Sequence, residues 1–259
     1  MGYGVKQTPA ISVITVALNA AETIKDCVES VKDQSYPCEH IIIDGCSSDD
    51  TANLAKKYAS QTALIISEQD HGTYDAMNKG LALATGDVIG ILNADDFYPH
   101  DDILAKVANC LADPDADACY GDLVYVDRAD TCRVTRYWKS CQCDPEFFYK
   151  GWMVPHPTLY VRRGIYQRYG GFNVNLGSSA DYELELRFFL RHGIRAKYIP
   201  EVLVVMRAGG WSNSSLLNRL RANRFDREAW TVNGLNPRHL TTILKPIRKV
   251  AQYFLRPAK

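Results

Sequence analysis

No stretch of this 259-residue chain approaches the ~20 consecutive apolar residues that carry a helix across a bilayer. Met1 to Pro9 is polar and has no apolar core of the kind a secretory leader needs. Several catalytic fingerprints are missing. The turn after the first strand-like run reads Leu18-Asn19-Ala20-Ala21, not G-x-G-x-x-G. Neither G-x-x-x-x-G-K-[ST] nor G-x-S-x-G occurs, so a dinucleotide-binding dehydrogenase, a P-loop NTPase and an α/β-hydrolase are all disfavoured. The chain has 8 cysteines but no C-x2-C pair, and Cys141-Gln142-Cys143 stands alone. Zinc-knuckle spacing is therefore absent, and reduced thiols serving as small core hydrophobes are expected. Internal repeats and low-complexity linkers are lacking too.

The chain does have the makings of a core. Hydrophobic residues are 46% and charged residues 23%, which excludes disorder and collagen. A chain of this length buries roughly 70–75% of its unfolded surface without help from disulfides. Lys and Arg (30) balance Asp and Glu (30), yet the balance hides a gradient. Residues 1–130 carry 22 acidic side chains against 8 basic, whereas residues 207–259 carry 2 against 11. An acidic first half suits a bound cation, and a basic tail suits an anionic partner.

Strand and helix patterns alternate through the first ~95 residues. Ile11–Leu18, His40–Asp44, Ala63–Ser67 and Asp87–Leu92 are short and β-branched, and read as buried strands. Between them, helices are expected after Asn19 as a cap, after Ser47–Thr51, and around Tyr74–Ala84. The alternation predicts a parallel sheet covered by helices, with ligands bound at the carboxyl ends of the strands. Beyond residue 100 the pattern is mixed. A helix at 103–111 leads to strands near 117–126, 131–138, 158–161 and 196–206, and Asp181 opens another helix. Residues 1–210 are expected to form one domain. A loop and basic helical extension follow over 211–259.

Acidic groups follow two of these strands, Asp44 after the second and Asp95 and Asp96 after the fourth. The topology predicts one shared crevice. Clustered carboxylates repel unless a cation sits between them, and Mg²⁺ or Mn²⁺ held with ligand phosphates relieves that repulsion. Helix capping is the competing role for Asn93-Ala94-Asp95-Asp96.

Ile11–Asn19, Ile41–Thr51, Ser67–Gly80, Ala84–Asp96, His156-Pro-Thr158 and Ser179–Leu184 together resemble the family 2 glycosyltransferases, of the non-processive WcaA-like bacterial type. The resemblance implies the GT-A fold, a Rossmann-like, mixed but mostly parallel sheet flanked by helices, here with a C-terminal helical extension. It implies an inverting transfer from a nucleotide-diphosphate sugar, a UDP-sugar by preference, to a hydroxyl of a glycan or lipid-linked acceptor. It also implies a role for each matching residue. Asp181 is the catalytic base. Asp44 and Asp75 meet the nucleoside, and the backbone from Ala17 to Asn19 lines the base pocket. Asn93-Ala94-Asp95 stands where the family has D-x-D. The metal therefore falls to Asp95 with Asp96 as a second candidate, and Asn93 to the sugar or ribose. Lys79 is a candidate for the phosphates. For His156 the donor, the metal and the acceptor all stay open. Trp211, in the Gly/Ser-rich stretch 208–215, is a candidate lid over the diphosphate. The Q-x-x-R-W sequence of processive members is missing.

The segment 241–256 mixes apolar residues with Lys and Arg, which suits either a membrane interface or a protein contact. The expected setting is cytoplasmic, with peripheral contact at the inner membrane face as an option and no nucleic-acid partner. A sugar-nucleotide nucleotidyltransferase and a non-catalytic nucleotide- or glycan-binding module are the competing functions.

Overall fold

The computed structural model describes residues 8–209 and 216–257. Its first half follows the expected alternation. Strands β1 (Ile11–Ala17), β2 (Cys38–Asp44), β3 (Leu64–Ser67) and β4 (Val88–Asn93) run parallel in the order β3-β2-β1-β4. Helices α1 (Ile24–Lys32), α2 (Thr51–Tyr58) and α3 (Thr73–Leu83) connect them. All seven residues of β1 are buried, because the strand is flanked by β2 and β4 and has no polar face to show. Ala17 lies opposite Asp44, and Val16 lies opposite Asn93. The register thus brings the carboxyl ends of β1, β2 and β4 to one edge.

The second half turns the sheet mixed. It contains β5 (Asp96–Phe97), α4 (Ile103–Leu111), β6 (Ala118–Val126), β7 (Val134–Trp138), α5 (Pro145–Tyr149), β8 (Tyr160–Arg162), α6 (Arg163–Tyr169), α7 (Ala180–Glu185), β9 (Ala196–Arg207), α8 (Leu216–Val232) and α9 (Thr241–Ala251). The full order is β3-β2-β1-β4-β8-β6-β9-β5, with β7 on β6. Strand β8 joins β4 antiparallel, and this works because residue 90 is glycine. A Cβ there would stand 2.2 Å from Cε1 of Tyr160, whose ring closes over the strand. The Tyr160 hydroxyl donates to Tyr98 Oη at 2.6 Å, so the ring is held at both ends.

Three local expectations differ from the structure. Asn19 does not cap α1. It lies in the left-handed region (φ 49°), which Asn tolerates better than most residues, and the helix starts only at Ile24. Its side-chain oxygen instead accepts from the N–H and Oγ of Ser48 at 2.9 and 3.1 Å. The strand read at 158–161 begins later, at Tyr160. Pro155 and Pro157 bracket His156, and His156–Thr158 forms a single 3₁₀ turn. The helix opened near Asp181 loosens into a π-helical segment at Leu186–Arg191 before Gly193 (φ 61°).

Candidate active site

Asp44 ends β2 fully buried. Its carboxylate accepts from the Ser67 hydroxyl at 2.6 Å and from both the N–H (3.2 Å) and the hydroxyl of Ser47. Ser47 Oγ accepts in turn from the Asn19 N–H at 2.8 Å. The Asn19 turn and the Asp44 turn are therefore one hydrogen-bonded unit. Ala17 joins it through its carbonyl, which takes the Gly45 N–H at 2.9 Å.

Asp75 stands in the first turn of α3, where the helix dipole favours a carboxylate. It accepts from the His71 N–H at 3.0 Å. Lys79 lies 3.9 Å from Asp75 but closer to Glu68, at 2.9 Å, and it donates to the Gln69 carbonyl at 2.6 Å. Its ammonium is tied to the loop before α3.

At the end of β4, Asn93 Nδ2 donates to Asp96 Oδ2 at 3.0 Å. Asp96 is fully buried and its Oδ1 has no partner. Burial first, and the neighbouring Asp95 charge second, push its carboxyl well above the usual range. Asp95 is half-buried. Arg207 at the end of β9 donates to the Asp95 carbonyl at 2.9 Å, pairs with Asp26 and stacks on Phe97. Ala94 is buried, with its N–H on the Val16 carbonyl at 3.1 Å.

Among the described residues no three His, Cys, Asp or Glu side chains converge as a ready-made metal cage. The chain offers an orphaned carboxylate oxygen on Asp96 beside the charge of Asp95. That donor set fits an ion which takes its other ligands from phosphate and water, as Mg²⁺ does. Asp95 is the accessible member. Asp96 faces inward and would need to turn.

The third group is built by the 3₁₀ turn, α3 and α7. Asp181 sits in the first turn of α7, and its Oδ2 is 3.0 Å from His156 Nδ1. The Tyr182 N–H donates to its Oδ1 at 2.7 Å. Burial alone would raise this carboxyl. His156 beside it and the ammonium of Lys245 outweigh burial and hold it at about 2. Burial first, and the Asp181 charge second, push the hydroxyl of Tyr74, next to Asp75 in α3, well above the usual phenol range. One turn on, Glu185 is fully buried. Its Oε2 accepts from the Val154 N–H at 2.9 Å, and its Oε1 is unpartnered. Burial, then the Asp181 charge, push Glu185 well above the usual carboxylate range. A cavity of about 20 Å³, room for one water, lies among Met77, His156, Leu159, Asp181 and Glu185.

The structure brings Ala17, Asn19 and Asp44 into one unit, and Asn93 to Asp96 onto the neighbouring strand end. His156 joins Asp181. Trp211 lies outside the described residues. Sequence reasoning missed Tyr74, Glu185, Arg207 and Lys245 as members of the site. Only Glu185 left a signal, since a glutamate four residues after Asp181 shares its helix face.

An open sheet flanked by helices, with carboxylates at its carboxyl edge, is the architecture that the resemblance to GT-A glycosyltransferases implies. The model of glycosyl transferase family 2 matches residues 12–168, and this chain belongs to that family. It is 30% identical over 211 residues to a "PGL/p-HBAD biosynthesis glycosyltransferase" of Mycobacterium bovis, covering 80% of each chain. It is 38% identical over 97 residues to the "putative teichuronic acid biosynthesis glycosyltransferase TuaG" of Bacillus subtilis, covering 36% of this chain and 38% of that one. Among solved structures, the mannosyltransferase PcManGT from Pyrobaculum calidifontis, in complex with GDP-Man and Mn²⁺, superposes with a TM-score of 0.64 at 22% identity. That match covers 96% of this chain and 71% of the other. S. aureus TarS with UDP gives a TM-score of 0.65 at 17% identity, covering 85% and 65%. The fold is GT-A, and the chain is a glycosyltransferase of glycan biosynthesis.

Proposed function

We propose that the protein is an inverting, divalent-metal-dependent glycosyltransferase that moves a sugar from a UDP-sugar to a hydroxyl of a glycan or lipid-linked acceptor, one sugar per encounter. The reading rests above all on one observation: His156 Nδ1 lies 3.0 Å from Asp181 Oδ2 in the first turn of α7 and helps hold that carboxylate ionised. Residues 1–210 carry the chemistry, and 211–259 form an extension of it.

Asp44 and Asp75 accept hydrogen bonds from nucleoside N–H and O–H groups, as acceptor-only carboxylates do. Asp95, with Asp96 and Asn93 behind it, would hold the Mg²⁺ or Mn²⁺. When bound, the ion stabilises negative charge on the departing diphosphate. Asp181 takes the proton of the acceptor hydroxyl as its oxygen attacks the anomeric carbon. The bond from that carbon to the diphosphate breaks on the opposite side, so configuration inverts. His156 holds Asp181 oriented and ionised. Lys79 stays a phosphate candidate only if it leaves Glu68.

The Asp44 unit suits an N–H donor such as uracil offers, which is compatible with a UDP-sugar. TarS was solved with UDP and with UDP-GlcNAc, and PcManGT with GDP-Man. No helix of the described residues is long and apolar enough to cross a membrane. Peripheral contact is supported by α9 and its flanks, where Leu240, Ile243, Ile247, Val250 and Phe254 are exposed every three or four residues. No acidic residue follows Glu228. Such a face suits the anionic inner leaflet of the membrane.

The test is a donor screen with Mn²⁺, scoring UDP release and the anomeric configuration of the product by NMR. Retention of configuration, or pyrophosphate in place of UDP, refutes the reading.

A further inference from the structure

The donor side of the cleft is acidic, but the side built by β7 and α9 is cationic. Arg136 on β7 is buried, yet its guanidinium meets no acid among the described residues. It donates instead to the neutral Gln252 side chain, at 2.6 Å from Nε, and lies 4.4 Å from the Tyr125 ring and 5.6 Å from those of Trp138 and Tyr253. Lys245 points inward from α9. It pairs with Asp226 at 2.8 Å, both side chains being 12% exposed, and sits 3.6 Å over the Tyr182 ring. Lys249, one turn on, has no acid partner among the described residues, and the like charges of Lys245 and Arg136 act on it.

Three cations therefore share one wall with one ion-paired acid, Asp226, and with the charge of Asp181 alongside. Gathering like charges is unfavourable unless an anion completes the group. This wall stands beside the chemistry. Lys245 sits 3.6 Å over the ring of Tyr182, the residue after Asp181, and Lys249 follows four residues on in α9. Gly151 lets α9 come this close. At its φ of 75° a Cβ would stand 2.4 Å from the Lys245 backbone nitrogen.

We propose that Arg136, Lys245 and Lys249 form an anion subsite for the acceptor, so that the sugar is delivered to a hydroxyl on a phosphate-bearing molecule. This rests on Asp181 being the base, because only then is this wall the acceptor side. Arg supplies a planar fork and Lys a point charge, a pairing suited to phosphate. The phosphate has two possible sources, a soluble sugar phosphate or a sugar joined to a prenyl phosphate.

The test uses the full chain, with UDP and Mn²⁺ present and absent, titrated calorimetrically with N-acetylglucosamine 1-phosphate and with farnesyl phosphate. N-acetylglucosamine and farnesol are the neutral controls. Each phosphate should bind about tenfold or more tightly than its neutral counterpart if charge-assisted bonds form. The tighter probe identifies the source. Lys249→Glu should abolish that preference and Lys249→Arg should keep it. Lys249 is exposed, so neither change should disturb folding, and UDP affinity should stay unchanged in both. The proposal is overturned if neither phosphate outbinds its neutral control, or if Lys249→Glu leaves the preference intact. Failure of UDP to bind would count against the transferase reading instead, because the phosphate titrations without UDP stand by themselves.

Discussion

His156 Nδ1 lies 3.0 Å from Asp181 Oδ2, although the two residues come from different elements, a 3₁₀ turn and the start of α7. The pair gives His156 a role that its place between two prolines did not reveal. It also explains how a carboxylate surrounded by protein stays ionised beside Glu185.

Replacing the carboxylate tests the base. Asp181→Asn keeps the shape and removes the proton acceptor. Transfer should fall by about 10²–10⁴-fold, the usual worth of a general base. UDP binding by titration should be unchanged. Transfer near the native rate would remove Asp181 from that role.

The His156 contact predicts a pH effect of definite sign. Asp181 is held at about 2 in the folded chain, so its base form persists into acid. His156→Gln removes one of the groups opposing burial. The Asp181 carboxyl should then rise, and the acid limb of kcat/KM against pH should move to higher pH. An unmoved limb would show that His156 does not set the ionisation. The same depressed value favours folding at neutral pH, and that contribution is lost as pH falls from the ordinary carboxylate range through about 2.

Asp44 predicts a coupled loss. Asp44→Ala removes the buried carboxylate to which the hydroxyls of half-buried Ser47 and exposed Ser67 donate. A cost of about 1–3 kcal/mol in urea unfolding is expected. UDP affinity should fall in the same variant. Asp44→Asn keeps one oxygen and should recover much of the stability but not the affinity.

Metal dependence should track Asp95. Asp95→Ala should raise the Mn²⁺ concentration needed for half-maximal activity by tenfold or more, about 1.4 kcal/mol. Chelation of the native protein should stop transfer. Full activity under chelator would exclude the ion from the reaction.

Gly151→Ala should loosen α9. The added methyl would meet the Lys245 backbone, and φ is positive there. Overpacking of this kind costs about 1–3 kcal/mol. Hydrogen exchange should speed up along 241–251 while β1 to β4 stay protected.

Much of the fold was legible before any coordinates. The β-branched runs at 11–17 and 40–44 are so apolar that a sheet covered on both faces holds them, and the helices between the strands force parallel order; the run at 63–67, read as buried, instead forms the edge strand β3, with Leu64 and Ser67 exposed. That order alone put Asp44 and Asp95 at one edge. Local chemistry decided less than it promised at Asn19, where a cap-forming side chain was used to latch two turns together. Helix α8 and strand β5 carried no readable period.

The sequence by itself determined the parallel half-sheet, its acidic edge and the family, because periodicity and residue order act over short distances. Tertiary structure alone decided the pairing of His156 with Asp181, the inward turn of Asp96 toward Asn93, and the arrival of Lys245 beside Asp181. The first and last of those contacts join residues tens of positions apart. Only packing, here a glycine under Tyr160 and another under α9, sets which side chains meet across such a gap.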